Sequence, residues 1–349
     1  MLISIGIPVY NTEKYLVQTL KSVITQDFDD FEVLVLSDSS KGKSDEGWTC
    51  KKIVRLMQKE CNSWRRHNKL KPVKIHYFEH SQNRGLVEAK RTLCYEAKGE
   101  YYTQLDSDDV MESGALPILY KTLIETGADI VHGTSTAGHF DENGNFIKSE
   151  KNRNGTIYYG EIYGHDIMTY WLVKQQFTSV LWGKLVRRDL LIKAFENIPY
   201  TENFMADDIL VFFFLARYLH KYVGIKNNVL LYRDNSGVTS PQKINSLERW
   251  EINCTAANCF SIISEFLKKK HEDFELTPQE SEAIRDSAMR FLIMALRRLN
   301  ADVVPELKLQ AYAMLCDYWG KDFVDEVDAA LAQDAREKLN GQLQLQEEK

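Results

Sequence analysis

The segment Asp106-Ser107-Asp108-Asp109 sets three carboxylates within four residues, directly after the apolar run Tyr101–Leu105. Carboxylates one residue apart on an extended backbone reach a hard cation that also takes diphosphate oxygens. Bringing the acids together costs Coulomb repulsion, which a divalent ion relieves while neutralising charge that grows on a leaving group. The competing reading is a solvated turn whose acids cap the helix after Glu112. Two other polar groups also sit just after apolar runs: Pro8-Val9-Tyr10-Asn11 and Ser37-Asp38-Ser39-Ser40. In open α/β sheets ligands bind outside the carboxyl ends of the strands, so the three groups converge on one crevice if those runs are parallel strands.

The first third of the chain meets that condition by alternating short apolar runs with amphipathic stretches, the pattern of βαβ units. Strands are predicted at Leu2–Ile7, Glu32–Leu36, Val73–Phe78, Tyr101–Leu105 and Asp129–His132. Leu16, Leu20, Val23 and Ile24 share one helical face, with Asn11 or Thr12 placed to cap that helix. A second helix is predicted from Leu86 to Lys98, stopped by Gly99, and a third stops at Gly127. From Gly133 to Gly160 the chain reads as a polar surface excursion with a hairpin turn at Asp141–Asn145. Helical patterning returns at Gly164–Phe177 and Asp207–Tyr222, and Asn228–Arg233 reads as a late strand before an Asn235-Ser236-Gly237 loop. Beyond about residue 243 the pattern is of amphipathic helices, around Glu248–Lys270, Pro278–Leu299 and Val303–Trp319, with a Gln-rich end expected to fray.

Length and composition set the frame. The 349 residues allow one large α/β domain, 1–240, and a helical region, 241–349; 44% hydrophobic and 27% charged residues describe a globular chain. No apolar run is long enough to span a bilayer, and the start lacks the basic region of a signal peptide, so a cytoplasmic location is expected. Cys50, Cys61, Cys94, Cys254, Cys259 and Cys316 show no CxxC spacing and read as free thiols. A net charge of −6 argues against nucleic-acid backbone binding.

In order and spacing, IGIPVYN at 5–11, SDSS at 37–40, NRGLVEAKR at 83–91 and GEYYTQLDSDD at 99–109 resemble the successive motifs of family-2 glycosyltransferases. Leu181-Trp182-Gly183-Lys184-Leu185, Met205-Ala206-Asp207-Asp208-Ile209 and Tyr232-Arg233-Asp234-Asn235-Ser236 resemble that family's acceptor-side motifs, so the resemblance covers roughly residues 1–240. It implies a GT-A fold: a Rossmann-like, mixed, mainly parallel sheet flanked by helices, here with a helical C-terminal extension. It further implies inverting transfer of a sugar from a nucleotide-diphosphate donor to the hydroxyl of a glycan or glycolipid, with Mn2+ or Mg2+, and at family level a bacterial surface glycan. Asp38 would bond the nucleobase, Pro8 and Tyr10 would shape its pocket beside Asn11, and Asp106 and Asp108 would address ribose and metal, with Asp109 assisting. Asp208 stands at the position of the catalytic base, with Asp207 in place of the usual glutamate. Without the resemblance, the pair would read as acids on a helix dipole.

Three departures are Ser37 for aspartate, Lys90 for arginine and Gly183 for asparagine. Lys90 or Arg84 meets the diphosphate under the resemblance, or is an exposed helix-face cation. Arg233 closes over the diphosphate or makes a surface salt bridge. Trp182 and Lys184 are acceptor-side candidates, Trp182 being equally a core residue. The apolar-then-basic run Phe291–Leu299 is a core helix of a C-terminal bundle, which can also mediate a homodimer, or else it lies on the inner face of a membrane. Lys268–His271 reads as a solvated helix end. Two other readings are a degenerate nucleotide-sugar-binding module, against which Asp106, Asp108 and Asp208 stand, and a sugar nucleotidyltransferase, whose glycine-rich N-terminal signature is missing.

Overall fold

The computed structural model describes residues 1–149, 156–234, 236, 243–269, 271 and 274–333. The expected loop residues Asn235 and Gly237, Lys270 and the Gln-rich end lie outside the described residues. Two compact units divide the chain. The first holds residues 1–202 and 207 onward to about 240; the second holds Asn203–Ala206 and the residues from 241.

The first unit is built on β1 (Ile3–Val9), α1 (Glu13–Ile24), β2 (Phe31–Ser37), α2 (Cys50–His67), β3 (Lys74–Glu79), α3 (Leu86–Glu96), β4 (Tyr101–Gln104), β5 (Val110–Met111), α4 (Ala115–Thr126), β6 (Ile130–Phe140), β7 (Phe146–Lys148), β8 (Gly160–Tyr163), α5 (Asp166–Leu172), β9 (Lys184–Arg187), α6 (Arg188–Glu196), α7 (Asp207–Ala216) and β10 (Lys221–Arg233). The sheet order is β3-β2-β1-β4-β9-β6-β10-β5, with β7 on β6 and β8 on β10. Strands β3, β2, β1 and β4 run parallel, as do β6 and β10, and β9 joins the two groups antiparallel to both neighbours. Every residue of β1 and β2 is buried, as expected of parallel strands covered on both faces. Helix α1 adds Leu16, Leu20 and Val23 to this core and α2 adds Ile53, Val54 and Met57.

Several expectations change in detail. The 18-residue helix α2 is left unassigned by the sequence reading, although Cys50, Ile53, Val54, Met57 and Cys61 form its buried stripe. Thr12 sits at the start of α1 but its side chain makes no cap bond there, and Asn11 adopts a left-handed φ of 58°. Helix α3 ends because Ala97 turns extended; Gly99 instead lies so close to Ser4 that an added Cβ would be 2.7 Å from its backbone nitrogen. Gly127 does end α4 in the left-handed conformation, at φ 63°. Residues 133–140 continue β6 instead of leaving the sheet, and β7 pairs back across the Asp141–Asn145 turn. The expected helices Gly164–Phe177 and Asp207–Tyr222 shorten to α5 and α7, because β10 already begins at Lys221.

The second unit contains α8 (Leu247–Cys254), α9 (Ala256–Leu267), α10 (Pro278–Ala301), a 3-10 turn at Pro305–Leu307 and α11 (Lys308–Trp319). The helix expected at Glu248–Lys270 is thus two, broken at Thr255. Helix α10 starts with a full capping box: Thr277 accepts from Glu280 N, and the Glu280 side chain accepts from Thr277 N. Its Leu292, Ala295, Leu296 and Leu299 turn into a core with Trp250, whose Nε1 donates to Ala311 O at 2.8 Å. Among the described residues no helix is long and apolar enough to cross a membrane.

Two buried positions in the sheet unit are sharply constrained. A Cβ added at Gly6 would lie 1.9 Å from the Tyr102 hydroxyl, and Tyr102 is buried with that hydroxyl donating to Gln104 Oε1 at 2.9 Å. Lys184 is only 1% exposed; its Nζ donates to Thr178 O at 2.9 Å and to Val180 O. Burial pushes its pKa down to about 7, with Asp208 opposing the shift. The neutral amine has two N–H bonds, one for each carbonyl.

Gly6→Ala is expected to destabilise the sheet unit by about 1–3 kcal/mol, read by urea denaturation, since the tyrosine has nowhere to move. An unchanged midpoint would contradict the steric account. For Lys184 the folded pKa lies below the unfolded value near 10.5, so between these values the unfolded chain binds the extra proton. Stability supplied at this position therefore rises with pH from about 7 upward, at no more than about 1.4 kcal/mol per pH unit. The parent protein should gain stability relative to Lys184→Met between pH 7 and pH 9; no relative gain would mean that the lysine stays protonated.

Candidate active site

The candidate residues lie at the carboxyl edge of the parallel strands β1, β2 and β4. At the end of β1, Asn11 N donates to Ser40 Oγ at 2.7 Å, tying the loop after β1 to the loop after β2. Asn11 and Ser39 both hold left-handed backbone, φ 58° and 54°, a strain that persists only where surrounding structure imposes it. Tyr10 is half-buried beside them and Pro8 is buried within β1.

Asp38 is 4% exposed and organises the start of α3. Its Oδ1 accepts from Arg84 N at 2.9 Å and from His80 Nδ1 at 2.7 Å, and its Oδ2 accepts from Gly85 N at 2.9 Å. A carboxylate offers about four acceptor sites, so roughly one remains for a ligand. His80 is a residue the sequence reading misses; its one signal is a position just past β3. The Arg84 side chain is half-buried and makes no hydrogen bond or salt bridge to a described residue.

The acidic turn follows β4 and is braced from two sides. Thr12 Oγ1 lies 2.6 Å from Ser107 Oγ, and Thr19 Oγ1 donates to Ser107 O at 2.9 Å and Asp109 O at 2.8 Å. From β10, Arg233 N donates to Asp109 Oδ1 at 2.8 Å and Arg233 Nε to Asp108 O at 2.8 Å. The guanidinium sits 4.5 Å from the ring centres of both Tyr15 and Phe140 and donates to Gln18 Oε1 at 2.5 Å. Arg233 is thus 8% exposed and holds backbone and Gln18 in this structure, in place of the surface ion pair considered from sequence. Nor do the acids cap α4, which begins after a left-handed Gly114.

These braces leave the Asp106 and Asp108 carboxylates without a hydrogen bond from any described residue. Burial pushes the Asp106 pKa up to about 7; Lys90 opposes this, while Asp108, Asp208 and Asp207 add to it. Burial, with Asp108 and Asp106, also holds the Asp109 carboxyl well above the usual range, and its Oδ2 is buried without a partner. Among the described residues no group of three or more His, Cys, Asp or Glu forms a self-contained metal cage. Two unengaged carboxylates still suit a cation that keeps several waters and takes its other ligands from substrate phosphates.

Asp207 and Asp208 begin α7, and Lys90 reaches both from α3. Lys90 Nζ is 2.5 Å from Asp207 Oδ2 and 2.6 Å from Asp208 Oδ1. Burial alone would lower the lysine pKa, but the Asp207 and Asp208 carboxylates outweigh it and raise the value. The exposed helix-face lysine considered from sequence is therefore a buried one, 5% exposed. Trp182 pairs its backbone with Gln104, two residues before Asp106, and its ring is 5.7 Å from that of Tyr232. Gly183 has φ 69°, a conformation that glycine and asparagine both tolerate, which explains how one replaces the other. The structure thus gathers Asp106, Asp108, Lys90, Asp207 and Asp208 into one electrostatic cluster. Asp38 holds the N-terminal end of the helix that carries Lys90.

The model of the family described as Glycosyl transferase family 2 matches residues 4–195. The chain is similar to the glycosyltransferase GlyG of Streptococcus pneumoniae serotype 4, 29% identical over 245 residues, which are 68% of this chain and 72% of GlyG. It is 28% identical to GlyA of the same organism over 239 residues, 67% of this chain but only 30% of that longer protein. Among solved structures, S. aureus TarS 1-349 in complex with UDP-GlcNAc is 18% identical with a TM-score of 0.49, over 96% of this chain and 92% of that one. The family match takes in Pro8, Asp38, Lys90 and the whole acidic turn, more than half of the chain. On that match the chain belongs to glycosyl transferase family 2 and is a glycosyltransferase.

Proposed function

We propose that the enzyme transfers a sugar from a nucleotide-diphosphate donor to an acceptor hydroxyl by a single inverting displacement, with Asp208 as the base. The observation that carries this reading is the cluster itself: unengaged carboxylates at the end of β4 within electrostatic reach of a carboxylate pair at the start of α7. The donor nucleotide lies along the carboxyl ends of β1 and β2, with its base against Pro8, Tyr10 and Asn11 and the remaining acceptor site of Asp38. Arg84, whose guanidinium takes no protein partner among the described residues, is the candidate for the diphosphate.

Asp106 and Asp108 would hold Mn2+ or Mg2+, which supplies charge neutralisation of the departing diphosphate when bound. Asp208 accepts the proton of the acceptor hydroxyl as that oxygen attacks the anomeric carbon from the face opposite the leaving group. The C–O bond to the diphosphate breaks as the new glycosidic bond forms, and no covalent sugar-enzyme intermediate arises. Trp182, half-buried near Asp106, is the side chain that offers an aromatic face to the acceptor sugar. Lys184 acts indirectly, by holding the backbone of residues 178–180. The acceptor is a glycan or glycolipid of a bacterial surface polymer, assembled on the cytoplasmic side.

A screen of sugar nucleotides for slow hydrolysis in the presence of manganese identifies the donor without knowledge of the acceptor. With that donor, Asp208→Asn is expected to lower turnover by about 10²–10⁴-fold while leaving donor affinity nearly intact. Near-normal turnover would remove Asp208 from the base role.

A further inference from the structure

We infer that Lys90 is a positioning residue that selects Oδ2 of Asp208 as the oxygen that takes the acceptor proton, an inference that rests on the reading of Asp208 as base. An ammonium group has three N–H donors, and Lys90 spends two on Asp207 Oδ2 at 2.5 Å and Asp208 Oδ1 at 2.6 Å. Among the described residues Asp208 Oδ2 accepts no hydrogen bond. The Asp208 side chain is 26% exposed, whereas Lys90 and Asp207 are 6% and 10%. Asp208 Oδ2 therefore takes no protein donor and belongs to the more exposed of the two carboxylates, while Lys90 holds Asp208 Oδ1 and Asp207 Oδ2.

The lysine can do this because its helix cannot drift. Asp38 fixes the first turn of α3 through Arg84 N and Gly85 N. One residue past Lys90, Arg91 Nη1 donates to Phe195 O at 2.5 Å and Nη2 to Ile198 O at 2.9 Å. Glu88 of the same helix pairs with Arg91 and accepts from Thr201 N at 3.2 Å. Helix α3 thus grips residues 195–201 on the stretch of chain that leads to Asp207. A lysine turned instead toward a diphosphate would leave two adjacent, largely buried carboxylates uncompensated, the costly half of a broken buried ion pair.

The test separates base positioning from donor binding. Lys90→Met and Lys90→Arg are compared with Asp208→Asn for manganese-supported hydrolysis of the sugar nucleotide found by the screen. UDP and GDP binding is measured calorimetrically on the same proteins, with circular dichroism to verify folding. Positioning predicts that Lys90→Met loses about a hundredfold or more in kcat while nucleoside diphosphate affinity stays within about threefold, with partial recovery of kcat in Lys90→Arg. A tenfold or greater loss of nucleoside diphosphate affinity with kcat preserved would make Lys90 a donor ligand and overturn the inference. Should Lys90→Met misfold through carboxylate repulsion, Lys90→Met with Asp207→Asn removes one of the two charges and is held to the same kcat criterion against Asp207→Asn alone. An active Asp208→Asn protein would remove the base reading; an inactive one beside a fully active Lys90→Met protein would remove the positioning role alone.

Discussion

One positive charge lets the two acidic side chains at the start of α7 stand together. Like charges on neighbouring residues in a poorly solvated crevice repel strongly, and the attraction of a shared ammonium offsets that repulsion only when its geometry is close. The distances of 2.5 and 2.6 Å meet that requirement. They also impose a demand on the fold, since α3 and α7 are more than a hundred residues apart in sequence. Much of the local architecture answers it, from the aspartate beneath the first turn of α3 to the arginine that ties its outer face to the chain ahead of α7.

The acidic turn after β4 is organised by the opposite logic. Its backbone and its hydroxyl are held by Thr12 just before α1, by Thr19 within it and by an arginine of β10, while two of its carboxylates are left alone. Fixing the main chain without spending the charged groups keeps them available to an incoming ligand at little reorganisation cost. The arginine is suited to this because its flat cation packs between two aromatic rings, an arrangement that a lysine would not reproduce.

What could be read from the sequence followed from strong local signals. Short, largely apolar runs mark β1 and β2, Tyr101-Tyr102 marks β4, and the polar residues after them mark the carboxyl edge, because strand direction fixes which end of a parallel sheet is open. Helix α2 is hard to read from the sequence because its stripe of Cys50, Ile53, Val54, Met57 and Cys61 is interrupted by lysines and arginines, among them Arg65, which turns inward to backbone carbonyls. The partners of Lys90 and Arg233 were out of reach for a different reason. A cation's orientation depends on which distant helix or strand packs beside it, and nothing in the residues next to it carries that information. The short antiparallel strands β5, β7, β8 and β9 likewise owe their existence to neighbours that pair with them, more than to their own composition.

The amine of Lys184 has a chemical consequence of its own. A lysine that sheds its proton near neutrality is a nucleophile, and here it is sealed among Thr178, Val180 and the ring of Phe212. An electrophilic label can meet it only when that part of the sheet opens. Its labelling rate therefore reports how often the sheet around β9 breathes, a clock for local opening built from a single buried nitrogen.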